Sequence, residues 1–541
     1  MAKTKSLRKA PAKRPPTRGG GEPAFDLDAY VHKYIWLLLP LLVLLYYWFS
    51  SGSTGFYQDD EIGHYRNIRQ FWGDPFSIMG NQPKPGWKIL MVLPGLFGFP
   101  GVALAHCLIA ALTVLATYFL GKRLGLRNSS IAALLLAAQP LFVQLAFRSY
   151  SEITAGLFVV LMALFYYRGN YALAAITSSY IFSIRQEFAL ISIGLGVIFI
   201  AKRKWLPFVL LAWTPVLLGL IGWLHTGNMM WLLDDMRRIG LGVQVPHKPF
   251  WHYFETYIFM VGPITLALFA VGYWSFLYPP AKWKEGVLDH GFLFFTFTLM
   301  WAWSVFSAWD VPDFGANPGH WRYLLSIAPL TAIYAGKGLN SLMDASKRKH
   351  VWILLAATAL ITLVFLSYES SGLTLTETRE YVKFYFVIAV LAVFALYATM
   401  KVLPGSGLIL LLLGLAIGYT LLTEKPRKLD SEAEAVKQLS EWYLAQPEEL
   451  RKRPLYCNHV LLRYFADIDI NDRDRDHSMQ LDALAKAARG SIVIWDSHYG
   501  QSQFGGDVPM DFFRDNPDYK LLHQIMSPDQ RFGALVFEKV R

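Results

Sequence analysis

Cysteine is almost missing from this 541-residue chain, which has only Cys107 and Cys457. They lie far apart and Cys107 falls within an apolar run, so a disulfide framework is a poor reading and the pair says little about redox compartment. Charge is scarce too, at 17% of residues, where a soluble chain of this size carries more. Nucleotide-binding signatures are missing: there is no P-loop, no G-x-G-x-x-G and no zinc-ligand spacing. ATP-driven transport and nucleotide-sugar chemistry therefore lack support. No internal repeat is visible, and that counts against a transporter built from inverted halves.

What the chain has instead is apolar residues, 54% of the total, and a mean hydropathy of +0.31. Many membrane spans are the natural consequence. The net charge of +11 does not call for nucleic acid. It comes from a basic N-terminal tail (Lys3, Lys5, Arg8, Lys9, Lys13, Arg14, Arg18) and from short basic loops between apolar runs, which is the positive-inside bias of a polytopic protein. Following the apolar runs gives about thirteen spans, near 34–50, 100–121, 129–147, 152–167, 170–184, 188–201, 205–225, 255–278, 289–309, 322–340, 350–367, 382–401 and 406–423. With the tail in the cytoplasm, the even-numbered spans end on Lys122/Arg123/Arg127, Arg168, Lys202/Arg203/Lys204, Lys282/Lys284, Lys347/Arg348/Lys349 and Lys401. An error of one span would scramble that pattern. The first apolar run follows a very long n-region with no clear A-x-A site, and reads as a retained signal anchor.

The organisation expected is a basic cytoplasmic tail (1–33), a transmembrane domain (34–425) with a long outer loop (51–99), and an extracytoplasmic α/β domain (426–541). In the outer loop, "DDEIGHYRNIRQFW" has helical spacing, with Glu61, Tyr65, Ile68 and Trp72 along one side, and suggests a helix lying on the membrane. "PGWKILMVLPGLFGF" looks like a second interfacial or re-entrant piece, with membership of the second span as the alternative. After about Glu424 the composition shifts to helical stretches ("SEAEAVKQLSEWYLA", "MQLDALAKAA") and short strands ("SIVIWDS", "YKLLHQIM", "GALVFEKV").

Ionisable groups near spans are costly, so each is a functional candidate by default. The outward-facing set comprises Asp59, Asp60, Glu61 and His64 in the first loop, then Arg148 and Glu152 in "FRSYSEI". It continues with Arg185 and Glu187 in "SIRQEFA", His247 and Lys248 in "VPHKPFWHYFE", and His320, Arg322 and Tyr323 in "GHWRYLLSIAPL". Arg148 and Glu152 share a face if their turn is helical, and Arg185 and Glu187 do not stack on a regular helix and suit different partners. Acids from one loop and bases from several others fit glycosyl transfer from a lipid-linked phosphate. Phosphate leaves without protonation, so cations must neutralise it as the bond breaks, and one carboxylate suffices to take the acceptor hydroxyl's proton. Adjacent carboxylates repel, which can raise the pKa of one of them.

The ordered set resembles the GT-C superfamily of polytopic glycosyltransferases, in particular the branch of protein O-mannosyltransferases and lipid A aminoarabinose transferases. The resemblance covers about residues 34–425. It rests on Asp60-Glu61 followed by Tyr65, on "HKPFWHYF", and on the R-Y-L-L…P-L pattern of "HWRYLLSIAPL". It implies an α-helical polytopic membrane protein that transfers a monosaccharide, mannose-like sugars included, from a polyprenyl-phosphate donor to an extracytoplasmic glycan, lipid or protein acceptor. It also implies an inverting displacement with Asp60 as base at the plasma (inner) membrane. Asp59 is an extra acid, so Asp59 and Glu61 stay open as alternatives.

No metal ligand set is assigned: the reaction demands no metal, although two neighbouring acids could bind one. "DIDINDRDRD" (467–476) resembles a calcium loop, but position six is Asp472 rather than Gly and position twelve is Ser478 rather than Glu, so a solvated loop is the better reading. An oligosaccharide ligase or polymerase, and a lipid or sugar transporter, remain as rival functions. The charge parity makes a direct prediction: a topology reporter fused at the C-terminus should be active outside the cytoplasm and one at the N-terminus inside, and the reverse pair would overturn the orientation.

Overall fold

In the computed structural model the chain is mainly helical, with a small sheet near its C-terminus. It describes residues 27–80, 83–240, 248–277, 283–309, 317–343, 405–500 and 506–541, with isolated helical positions between 351 and 392. The first helix, α1 (Leu27–Ser51), buries Ile35, Leu42 and Tyr46 and leaves Trp36, Leu37, Leu41, Leu44 and Trp48 exposed. One apolar face meets protein and the opposite apolar face needs lipid, as a peripheral membrane helix requires.

Among the described residues, four helical stretches are long and apolar enough to cross a membrane: Val31–Ser51, Gly98–Arg123, Trp205–Thr226 and Gly291–Ala308. A bent pair, His252–Val261 and Pro263–Trp274, inclined by 118°, has the form of a broken span or a re-entrant loop. The break has a local cause: Gly262 takes φ 79°, a left-handed value that favours glycine, and Pro263 then starts the second limb. Other apolar runs are shorter than a full crossing. Run 129–147 divides into Ser129–Ala137 and Pro140–Leu145, with Pro140 opening the second piece. The runs at 350–367 and 382–401 fall largely outside the described residues. The helices at Pro263–Leu277 and Ala328–Met343 approach closely through glycine: a Cβ on Gly272 would meet the Tyr334 carbonyl oxygen at 1.7 Å, and one on Gly338 the Leu268 oxygen at 1.9 Å.

The outer loop is structured. Helix α2 (Asp60–Gln70) buries Glu61, Ile62, Tyr65, Arg66 and Ile68. These side chains meet protein rather than lipid, which changes the expectation of a helix lying on the membrane. Ile62 belongs to the same core as Leu439, Leu461, Ile494 and Val536 of the C-terminal domain, and Trp72 is half exposed. Arg66 fixes the packing by donating to Asp476 at 2.8 Å and to the Ile468 carbonyl at 3.1 Å. Next come α3 (Pro85–Gly95) and α4 (Gly98–Arg123), so the "PGWKILMVLPG" segment is a short helix of its own.

The C-terminal domain carries one five-stranded sheet in the order β2-β1-β3-β5-β4. The strands are β1 (Leu455–Cys457), β2 (Asp476–His477), β3 (Ile492–Asp496), β4 (Tyr519–Met526) and β5 (Gly533–Lys539). Strand β1 is parallel to both β2 and β3, and β5 is antiparallel to β3 and β4. The three strands expected from sequence are β3, β4 and β5, and the very short β1 and β2 complete the sheet.

A buried ion pair ties the loop to the bundle. Arg148 Nη1 lies 2.9 Å from Glu61 Oε2, and both side chains are almost fully buried. Arg148 also donates to the Gly55 carbonyl, Ser53 Oγ and the Gln144 carbonyl. Breaking such a pair leaves one unmatched buried charge, which costs about 3–5 kcal/mol, whereas replacing both partners by apolar groups costs far less. Arg148→Met should therefore lower the thermal unfolding midpoint in detergent sharply, and Glu61→Leu/Arg148→Met should recover much of the loss. An unshifted midpoint for the single variant would refute this anchoring role.

Candidate active site

Three consecutive acids begin α2, and the helix sends them in three directions. Glu61 points inward to Arg148 and also accepts from the Tyr57 backbone N–H at 3.0 Å. Asp59, the residue preceding α2, turns to the C-terminal domain and accepts from the Tyr499 hydroxyl at 2.9 Å. Asp60 remains open, with its side chain 60% exposed, and pairs with Arg322 Nη2 at 2.8 Å. Burial is the first cause of the raised pKa of Asp59, with His459 and the Tyr499 hydrogen bond opposing it. Repulsion among the three acids is therefore not the source.

Arg322 is the hub of the opposite wall. It sits in a 3-10 turn (Trp321–Ile327), donates to Gln58 Oε1, and stacks its guanidinium over the Tyr150 ring at 4.5 Å. Its Nε lies 3.5 Å from Glu152 Oε1, an oxygen that also receives Arg185 Nη1 at 2.7 Å. Arg185 pairs with Glu187 as well and lies over Tyr323 at 4.8 Å. One fully buried carboxylate, Glu152, is thus shared by two arginines, and Glu187 and Asp60 each meet one of them as well.

Several pairings differ from those read in the sequence. Arg148 and Glu152 do not pair, because residues 148–151 form turns rather than a helix, and each finds a different partner. Arg185 and Glu187 do pair, since the 3-10 turn Gln186–Phe188 brings positions two apart together. His64 packs edge-on against Trp87 and Tyr150, at 5.1 and 6.0 Å between ring centroids, and burial holds its pKa well below the usual imidazole range. His320 faces Gln58 Nε2 at 3.4 Å, and burial followed by the Arg322 charge pushes it down to about 4. Lys248 bonds the Ala308 carbonyl through its backbone N–H and runs its side chain past Gly319. His247 lies outside the described residues.

Asp60, Glu152, Arg185, Glu187, His320, Arg322 and Tyr323 therefore form one connected network of side chains, which also includes Gln58 and Tyr150. Sequence reading missed two members, Lys84 and Lys88. Lys84 precedes α3 in a left-handed conformation, φ 61°, a costly backbone for a residue with a Cβ and a frequent mark of functional sites. Burial lowers it to about 8, with Arg185 and Arg322 adding to the effect and Glu152 opposing. Lys88, one helical turn on and 1% exposed, is lowered to about 7 by burial and by Lys84. Two lysines four apart in an otherwise apolar segment were the available signal.

No family model matches the chain, and no curated protein matches it. Among solved structures it is similar to the crystal structure of ArnT from Cupriavidus metallidurans bound to undecaprenyl phosphate: TM-score 0.58, 12% identity, 93% of this chain and 98% of that one covered. The apo crystal structure of the same ArnT matches equally, with 94% and 98% covered. At that identity the likeness establishes a shared fold, which spans nearly the whole length of both chains.

The lysine pair makes the positive charge of this network pH dependent. Both folded-state pKa values are depressed, so both charges are present at low pH and lost as pH rises through about 7 to 8. Affinity for a phosphate monoester titrated into the purified chain should fall by roughly tenfold for each lysine neutralised, the worth of one charge-assisted hydrogen bond. Lys84→Arg should flatten the upper part of that fall. An affinity that does not change between pH 6.5 and 9 would refute it.

Proposed function

We propose that this chain, which shares the fold of ArnT, is a membrane glycosyltransferase that takes a monosaccharide from a polyprenyl-phosphate donor and delivers it to an extracytoplasmic acceptor. The observation that carries the reading is the meeting of an open carboxylate, Asp60, with a cationic wall of buried Arg322, Arg185 and Lys88 and partly buried Lys84. An acceptor hydroxyl hydrogen-bonded to Asp60 gives up its proton as its oxygen attacks the anomeric carbon. The bond from that carbon to the phosphate oxygen breaks, and the departing phosphate is neutralised by the arginines and lysines. Attack and departure on opposite faces of the sugar give inversion.

The division of labour among the three acids favours Asp60 as base. Glu61 is sealed against Arg148, and Asp59 is engaged by Tyr499, whereas Asp60 is exposed beside Arg322. Arg322 suits two tasks. It aims the Asp60 carboxylate, and it supplies charge where the phosphate oxygen develops its own. Aromatic rings at Tyr150 and Tyr323 back the two guanidiniums and keep water from their faces. Exposed apolar helix faces suit a prenyl chain lying alongside the bundle.

The decisive assay supplies the purified chain with a panel of polyprenyl-phosphate sugars, both hexoses and pentoses, and measures new glycosidic linkage. Asp60→Asn should reduce turnover by about a hundredfold or more, the usual loss for a general base, with little change in donor KM. Equal turnover in wild type and Asp60→Asn would overturn the base assignment. Movement of unreacted donor across liposomes without any new linkage would identify a transporter instead.

A further inference from the structure

A second constellation lies at the seam between the first loop and the C-terminal domain. Asp59, Glu432, His459 and His498 each offer one ligand atom, and those atoms all lie within 4.8 Å of one another. The four come from four separate stretches: the residue before α2, the first turn of the helix Ser431–Leu444, the connection after β1, and the connection after β3. His459 and His498 each stand two residues beyond neighbouring parallel strands, so the sheet places both imidazoles at its carboxyl edge, where α/β folds gather ligands.

We propose that this cluster is a binding site for one divalent transition ion of the zinc class, which fastens the C-terminal domain to the loop bearing Asp60. Two imidazoles and two carboxylates are a donor set zinc accepts in tetrahedral geometry, with donor atoms roughly 3.3 Å apart at ordinary bond lengths. No donor pair here exceeds 4.8 Å, so small side-chain shifts bring the set to that spacing. Glu432 Oε1 lies 3.1 Å from His459 Nε2 and 2.6 Å from His498 Nδ1.

The surroundings are those of a metal site. The Tyr499 hydroxyl donates to Asp59 Oδ2, an outer contact of the kind that orients a ligating carboxylate. The Asp496 carboxylate is 1% exposed; its Oδ1 receives the backbone N–H groups of His498 and Tyr499, fixing the histidine's loop. Its Oδ2 is buried without a hydrogen-bond partner among the described residues, leaving negative charge beside the cluster. His459 is 2% exposed and enclosed by the rings of Tyr499 and Phe532. Without an ion the two histidines donate to Glu432. An ion replaces both of those protons, and His459 then gives up the contact that its Nδ1 receives from the Leu461 N–H at 3.3 Å, the longest in the cluster.

The site is separate from the sugar-transfer chemistry, so its test does not depend on activity. The full-length chain, carrying no affinity tag and stripped with a chelator, is dialysed against Zn2+ and its bound metal counted. Wild type should retain one ion per chain. Asp59→Asn, which alters only the loop's contribution, should weaken retention at least about tenfold, and His459→Ala/His498→Ala should abolish it. Because the double variant could misfold, Co2+ titrated into the wild-type chain serves as a second measurement. An intense visible absorption band that saturates at one equivalent is the tetrahedral result. Failure to saturate at one equivalent, a weak octahedral spectrum, or equal retention by Asp59→Asn would overturn the proposal and leave the cluster a hydrogen-bonded clamp.

Discussion

The buried carboxylate of Glu152 is the constraint on which the rest of the pocket depends. Two guanidiniums, Arg185 and Arg322, reach the same oxygen from different helical turns. A single cation buried at this depth would be prohibitively costly, and two are tolerable because Glu152 holds both, Asp60 and Glu187 each hold one, and tyrosine rings cover their faces. The balance is deliberately incomplete in sign. Asp60 meets Arg322 and Glu187 meets Arg185, so three carboxylates face two guanidiniums, and Lys84 and Lys88 bring the cations to four when both are charged. Cations held in place this way need no rearrangement to meet a negative group, which is what the proposed donor phosphate asks of them.

Much of this was legible in the sequence, and the reasons are physical. Lipid makes ionisable residues near apolar runs rare, so Asp60, Glu152, Arg185 and Arg322 stood out without any knowledge of the fold. The three longer strands of the C-terminal domain announced themselves by their apolar content. Pairings were harder to read. Whether Arg148 meets Glu152 or Glu61 depends on a few turn residues and on a loop nearly a hundred positions away, and neither leaves a periodic trace. Lys84 and Lys88 went unnoticed because their segment reads as apolar overall, and short strands such as β2 have too few residues to carry a pattern. The expectation of a membrane-surface helix at α2 failed for a related reason: an apolar stripe states that a face is covered without stating by what.

The division among Asp59, Asp60 and Glu61 shows how one turn of helix can serve three bodies at once. Successive positions on a helix point about a hundred degrees apart, so adjacent acids cannot share a target. One faces the bundle, one the pocket, and one the C-terminal domain. A run of like charge that looks redundant in the sequence is, in the fold, a junction.

The placement of Ile62 and Arg66 has a consequence for how the molecule is made. Arg66 meets Asp476, a partner 410 residues later in the chain. During synthesis the first loop is complete long before the segment that covers it exists, so Ile62 waits uncovered while the intervening chain is made. The C-terminal domain therefore closes the structure in both senses, since its contact with the first loop spans most of the chain.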